Sequence, residues 1–134
     1  MIEAEIGEAG WILDASAVLA LLQDESGGQL VEDHLAGAAI CAVNLCEVIG
    51  KLLDVGMPDS EAEEVMAALG LEIIPFTADL AWRAAALRTI GRAVGLSLGD
   101  RACLATGLML DRPVLGGDRV WTQLDLPIHI SLIR

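Results

Sequence analysis

Lysine is almost missing from this chain of 134 residues: Lys51 is the only one, and eight Lys and Arg together face twenty Asp and Glu. The net charge of −12 is the wrong sign for gripping a phosphate backbone by bulk charge, which takes clustered basic residues. No uncharged apolar run reaches the roughly 18 residues of a membrane span. The N-terminal MIEAEIGEAG is acidic where a secretory signal would be basic, so a cytoplasmic protein is expected. The three cysteines, Cys41, Cys46 and Cys103, are odd in number and form no CxxC. Neither a disulfide framework nor a zinc knuckle is indicated, and all three are expected as small core residues. Repeats, low-complexity tracts and linkers are also lacking.

What is present is apolar surface. Hydrophobic residues make up 54% of the chain and mean hydropathy is +0.58, enough to bury the core of one domain. Charge is unevenly spread. Residues 1–72 hold fifteen acids and one base, whereas residues 73–134 hold five acids and seven arginines. Glu61, Glu63 and Glu64 fit a solvated helix face.

Short apolar runs alternate with helical patterns along the chain. Trp11 to Leu13 predicts a strand ending at Asp14, with Ser16 capping a helix through Leu22. A helix near Gln29–Leu35 leads to a strand over Ala39–Val43. Leu45, Val48, Ile49, Leu52 and Val55 then recur at helical spacing as far as Gly56. Asp59 or Ser60 caps a helix to about Leu69, Leu71–Pro75 is a strand, and Thr77 caps a long helix. Ser97, three residues ahead of Asp100, makes a capping box for a helix to Leu110. Strands follow at Pro113–Leu115 and Ile128–Leu132. Such alternation predicts an α/β fold: a three-layer α/β/α sandwich with a short, mostly parallel central sheet.

Ligands of such sheets bind beyond the carboxyl ends of the strands. Asp14 and Asp118 follow strands and fall at that rim, and Glu47 and Asp100, each in or near a first helical turn, can reach it. Each has an ordinary alternative. Asp14 and Asp118 suit caps, Glu47 suits an i,i+4 pair with Lys51, and Asp100 suits a helix dipole. Carboxylates gathered beside a core repel, and one takes up a proton unless a cation intervenes. An all-oxygen set without His or Cys suits Mg2+ or Mn2+. His34 and His129 stand isolated. A haloacid-dehalogenase-type phosphatase would need a second acid where Ser16 stands and a later lysine, and a receiver-like phosphoacceptor fails on the same lysine.

At these residues the chain resembles a family. ILDASAVLALL from residue 12, NLCEVIGKL from 44, LSLGDRACLATG from 96 and VLGGDRVW from 114 are similar, in order and spacing, to the four motifs of PIN domains, particularly VapC-type toxin ribonucleases. The resemblance covers residues 11–134 as one domain and leaves 1–10 as an N-terminal extension. It implies a metal-dependent endoribonuclease with Asp14, Glu47, Asp100 and Asp118 as its acidic site. Asp14, Asp100 and Asp118 would be metal ligands for Mg2+ or Mn2+, and Ser16 and Asn44 supporting or substrate contacts. RNA would then need arginines to hold its phosphates; Arg101 and Arg119 beside site acids, and Arg83, Arg88 and Arg92 on one helix, are the candidates. An antitoxin partner is implied, and a homodimer is expected through exposed apolar surface. Gly116 departs from the pattern, since the family usually carries Ser or Thr two residues before the last acid. A non-catalytic α/β interaction domain with a vestigial acidic pocket is the competing expectation.

Overall fold

In the computed structural model, residues 10–134 are described. The expected extension at 1–10 lies outside them apart from Gly10.

Five short strands form one sheet: β1 (Ile12–Leu13), β2 (Ala39–Cys41), β3 (Glu72–Ile74), β4 (Val114–Gly116) and β5 (Ile130–Leu132). Their order is β3-β2-β1-β4-β5 and every pairing is parallel, with Ile12 opposite Ala39 and Val114, and Gly116 opposite Leu132. Successive strand residues face opposite sides, so β1, β2 and β4 each supply both cores. Leu13, Ile40 and Leu115 pack under α1 (Ala15–Leu22), α2 (Gly28–Asp33), α3 (Ala42–Asp54) and α4 (Asp59–Leu69). Ile12, Ala39, Cys41 and Val114 pack under α5 (Ala78–Gly91) and α6 (Leu98–Leu110). The result is the predicted three-layer sandwich. Two 3-10 turns, Arg92–Val94 and Arg119–Gln123, add to the elements expected from the sequence.

Helix α6 explains its own composition. It packs against α3, α5 and three strands, and its residues Ala102 to Gly107 are all buried. A helix enclosed on nearly all sides reads as continuously apolar. Behind the sheet, Arg112 donates from Nε to the Gly10 carbonyl at 3.1 Å, from Nη2 to that of Gly37 at 2.9 Å and from Nη1 to Glu72 Oε1 at 3.0 Å. One guanidinium thus ties together three segments that lead into or begin β1, β2 and β3.

Three sequence expectations are corrected. The first helix is capped by Asp14, not Ser16, because Asp14 Oδ1 takes the Ala17 amide and the helix begins one residue before Ser16. Cys46 is exposed while Cys41 and Cys103 are buried. On α3 the inward positions are Asn44, Val48 and Leu52, and Cys46 lies about 200° around the axis from Asn44. Val55, at the end of the predicted stripe, is 70% exposed because it lies beyond the last turn.

Candidate active site

The strand order reverses between the central strand β1 and its neighbour β4, and the cleft at their carboxyl ends is where a parallel sheet places its ligands. Asp14 leaves β1 there and is 6% exposed. As the α1 cap its Oδ1 accepts from Ala17 N at 2.8 Å, while the Ser16 hydroxyl donates to its two oxygens at 2.8 and 2.9 Å. Gly117 N, just past β4, donates to Oδ2 at 3.4 Å. A side chain at 117 would collide with the Ser16 hydroxyl, and one at 116 with Asp14 Oδ2 and the Trp121 ring. Glycine at both positions lets the strand end close on the carboxylate.

Helix α6 brings Asp100 to the same cleft. Ser97 Oγ accepts from Asp100 N at 3.1 Å and Asp100 Oδ2 accepts from Ser97 N at 3.0 Å, completing the predicted capping box and leaving Oδ1 without a hydrogen bond. Helix α3 supplies Glu47 and Asn44. Asn44, 1% exposed, donates through Nδ2 to Glu47 Oε1 at 3.1 Å and to the Gly99 carbonyl at 3.0 Å. Its Oδ1 is buried with no partner. Asp118 caps the 3-10 turn after β4 by accepting the Val120 amide at 3.0 Å.

Asp14, Ser16, Asn44, Glu47, Asp100 and Asp118 line one cleft of about 420 Å3. Capping and membership of the cleft coincide for Asp14, Asp100 and Asp118, so the ordinary reading of each acid describes how it is held in place. Lys51 also lines the cleft, one turn beyond Glu47 on α3. The Glu47–Lys51 pair, the ordinary alternative for Glu47, is not among the ion pairs of the described residues, which are Arg83–Asp79 and Arg112–Glu72. The i,i+4 spacing that suggested the pair was the signal that both side chains share this face. Arg101 and Arg119 do not line the cleft. Arg119 is exposed, and Arg101 turns to the opposite side of the α6 start, where Nη1 donates to the Ala84 carbonyl at 3.4 Å. His34 and His129 both stack edge-on to Trp11, away from the acids.

Burial pushes the Asp14 carboxyl above its ordinary value of 3.8, and the Asp100 charge adds to that; the bonds from Ala17, Ser16 and Gly117 oppose it. Beneath the cleft, burial and the nearby Asp14 charge hold the Cys103 thiol well above its ordinary value, so it stays neutral. The donor set fits a hard divalent cation: four carboxylates, several with an oxygen uncommitted, and no competing soft ligand. Among the described residues no three His, Cys, Asp or Glu side chains yet converge as a coordination shell. Glu47 is exposed and Asp118 half-buried, each held by one hydrogen bond, to Asn44 and to Val120 respectively.

A doubly covered parallel sheet with four acids at its switch point defines the class, an α/β domain with an acidic cleft. The PIN domain model matches residues 11–125, and the chain belongs to the PIN domain family. The fold is similar to that of a toxin–antitoxin complex from Klebsiella pneumoniae, with a TM-score of 0.74 and 18% identity over 93% of this chain and 98% of that one. It is also similar to VapBC2 from Rickettsia felis bound to a promoter DNA fragment, with a TM-score of 0.71 and 16% identity over 91% and 97%. For VapBC-5 from Mycobacterium tuberculosis the values are 0.57 and 21% over 94% and 98%. At these identities the likeness is one of fold. No curated protein matches the chain.

Proposed function

We propose that this protein is a metal-dependent endoribonuclease, the toxin of a VapBC-type toxin–antitoxin pair, hydrolysing RNA phosphodiester bonds at the acidic cleft. The observation that carries the reading is the meeting of Asp14, Glu47, Asp100 and Asp118 from four separate segments in one cleft, with Asp14 buried. Asp14, Asp100 and Asp118 would hold Mg2+ or Mn2+, which when bound lowers the pKa of water and offsets charge on phosphoryl oxygens. Asp14 is the fixed member, oriented by Ala17, Ser16 and Gly117. Glu47, steadied by Asn44, faces the cleft where it can orient the attacking water or take its proton. Lys51 places one positive charge at the rim, suited to a phosphate oxygen.

The fold neighbours are toxin–antitoxin complexes, which supports a cognate antitoxin as partner. Leu45, Ile49 and Leu53 of α3 border an apolar groove of about 460 Å3 against α4, a face suited to a partner segment. Leu19 of α1 lines the acidic cleft rather than this groove. A homodimer through other exposed apolar surface completes the proposed assembly. No helix among the described residues is long and apolar enough to cross a membrane.

The test is incubation of the purified protein with total RNA, with and without Mn2+, and mapping of new ends. Cleavage should require the ion, and Asp14→Asn, Asp100→Asn and Asp118→Asn should each nearly abolish it while preserving the far-ultraviolet spectrum. Full cleavage by any two of these variants would refute the site. The competing reading, a non-catalytic domain, draws on Gly116 in place of a hydroxyl residue. Mn2+ binding without any RNA cleavage would establish it.

A further inference from the structure

Of the five arginines the sequence offers as candidates for RNA phosphates, three are brought together by the fold and two are not. Arg88 near the end of α5, Arg92 in the 3-10 turn and Arg101 in α6 line a recess of about 190 Å3 with Gly95 and Leu96. Arg83 pairs with Asp79 at 3.2 Å and Arg112 ties the strand ends, whereas Arg101 commits only Nη1, at 3.4 Å, to the Ala84 carbonyl and keeps the rest of its guanidinium for the recess. Among the described residues none of Arg88, Arg92 and Arg101 pairs with an acid. Arg88 sits in the last turn of α5, where a cation complements the helix dipole, and that alone accounts for it. It does not account for Arg101, which stands near the start of α6, where a cation meets the positive end of a dipole. Gly95 has φ +71° and open space where a Cβ would stand, so the recess has room for a ligand against its backbone. Asp100 lines the acidic cleft and Arg101, the next residue, lines the recess. The two sites lie on either side of the first turn of α6.

We infer that the recess of Arg88, Arg92 and Arg101 is a phosphate subsite that holds the backbone of single-stranded RNA next to the acidic cleft, fixing the strand's register. This rests on the proposed RNA-cleaving reading and names where the substrate is gripped. The site answers a difficulty of that reading: a protein with net charge −12 needs a local cationic surface to bring a polyanion to a row of carboxylates. Guanidinium groups suit it, since they meet phosphate oxygens with paired, charge-assisted hydrogen bonds. Backbone contacts of this kind position the strand without reading its bases.

The experiment measures binding of a fluorescent single-stranded RNA by the full-length protein in EDTA, over a range of NaCl concentrations, by anisotropy. Arg88→Gln with Arg92→Gln changes only exposed side chains and should weaken binding about tenfold, flattening the slope of log affinity against log salt by about 0.7 for each phosphate that is no longer neutralised. Arg101→Gln should weaken binding further, and Arg83→Gln, on the same helix but outside the recess, should leave it unchanged. Unaltered RNA affinity and salt slope in the folded Arg88→Gln/Arg92→Gln protein overturn the inference. So does failure to bind antitoxin with RNA binding intact, which would make the recess a protein-docking surface. Inorganic phosphate perturbing the arginine resonances without any RNA binding would assign a free-anion site and also overturn it. A wild-type protein that binds RNA through these arginines but cuts none would sink the nuclease reading and leave the subsite standing. One that cuts RNA while the variants bind equally well sinks the subsite alone.

Discussion

Asp14 is a carboxylate that the fold buries and then surrounds with donors, and the two effects oppose each other. Burial is the larger, so its folded-state pKa lies above the ordinary 3.8. A raised folded-state value means the stabilising contribution is complete below the unfolded pKa and is lost as pH rises through the folded one. The metal-free protein should therefore lose stability to this group between about pH 4 and the raised value, and Asp14→Asn should lack that component of the slope. Urea unfolding of both proteins across this range gives the comparison; superimposable pH profiles would deny any burial penalty at Asp14. At neutral pH the deprotonated form is the one a cation needs. A hundredfold excess of Mn2+ over its dissociation constant should restore about 2.7 kcal/mol to the wild type and far less to the variant.

Gly116 belongs to the same scale. The departure from the family's hydroxyl residue is legible in the sequence, but its reason is not. A Cβ at 116 would stand 2.5 Å from Trp121 Cζ3 and 2.8 Å from Asp14 Oδ2. Trp121 is 1% exposed and cannot swing away, so here the indole occupies the space that another side chain would use. Restoring the hydroxyl with Gly116→Ser should cost about 1–3 kcal/mol by overpacking, seen as a lower Tm. A Tm equal to wild type would mean the indole yields, and the site would then accept the family's usual residue.

Among the elements, most of those with a local cause are legible in the sequence and those with a tertiary cause are not, although the caps expected at Ser16 and at Asp59 or Ser60 fall at Asp14 and Pro58. Thr77, Ser97 and Asp100 sit where capping chemistry requires, because a cap is decided by atoms three residues apart. The strands are visible as apolar runs, although the run Ala39–Val43 overshoots its strand by two residues, since α3 begins directly at Ala42. The 3-10 turn at Arg119–Gln123 has no such signal: Asp118 starts it, and its one buried residue, Trp121, joins the core cluster that also holds Ile12 and Val114 from elsewhere in the chain. Asn44 stands out through family resemblance alone. Its role is a clamp between α3 and α6, holding the Gly99 carbonyl and Glu47 with one amide. Asn44→Ala removes those bonds but also an unpartnered buried oxygen, so the stability loss should be only about 1 kcal/mol. Activity should fall further, about 10–100-fold, because Glu47 loses the group that aims it. Equal, small effects on melting and on RNA cleavage would reduce Asn44 to a packing residue.

For the molecule as a whole, charge is the organising quantity, and the sequence reveals its imbalance without its arrangement. Residues 1–72 carry fifteen acids against Lys51, and five of the seven arginines of the second half fall into a tie behind the sheet, an i,i+4 helix pair and the recess beside α6. No spacing rule links Arg88 to Arg101; α5 must fold back on α6 before they meet. A net charge of −12 repels itself in the compact state, and simple salt screens that repulsion over a Debye length of about 10 Å at 0.1 M. Adding NaCl to the metal-free protein should therefore raise its Tm gradually. The same salt should weaken RNA binding, because releasing counterions from the phosphates is less favourable in a saltier solution. Mg2+ should differ from both: acting at one cleft rather than over the whole surface, it should raise the Tm at concentrations where Na+ has no effect, and Asp14→Asn plus Asp100→Asn should abolish that early rise while leaving the NaCl response intact. Differential scanning fluorimetry over the two salts separates the effects. If the double variant still responds to low Mg2+ as the wild type does, the cation is screening the acidic surface at large and the cleft is not its site.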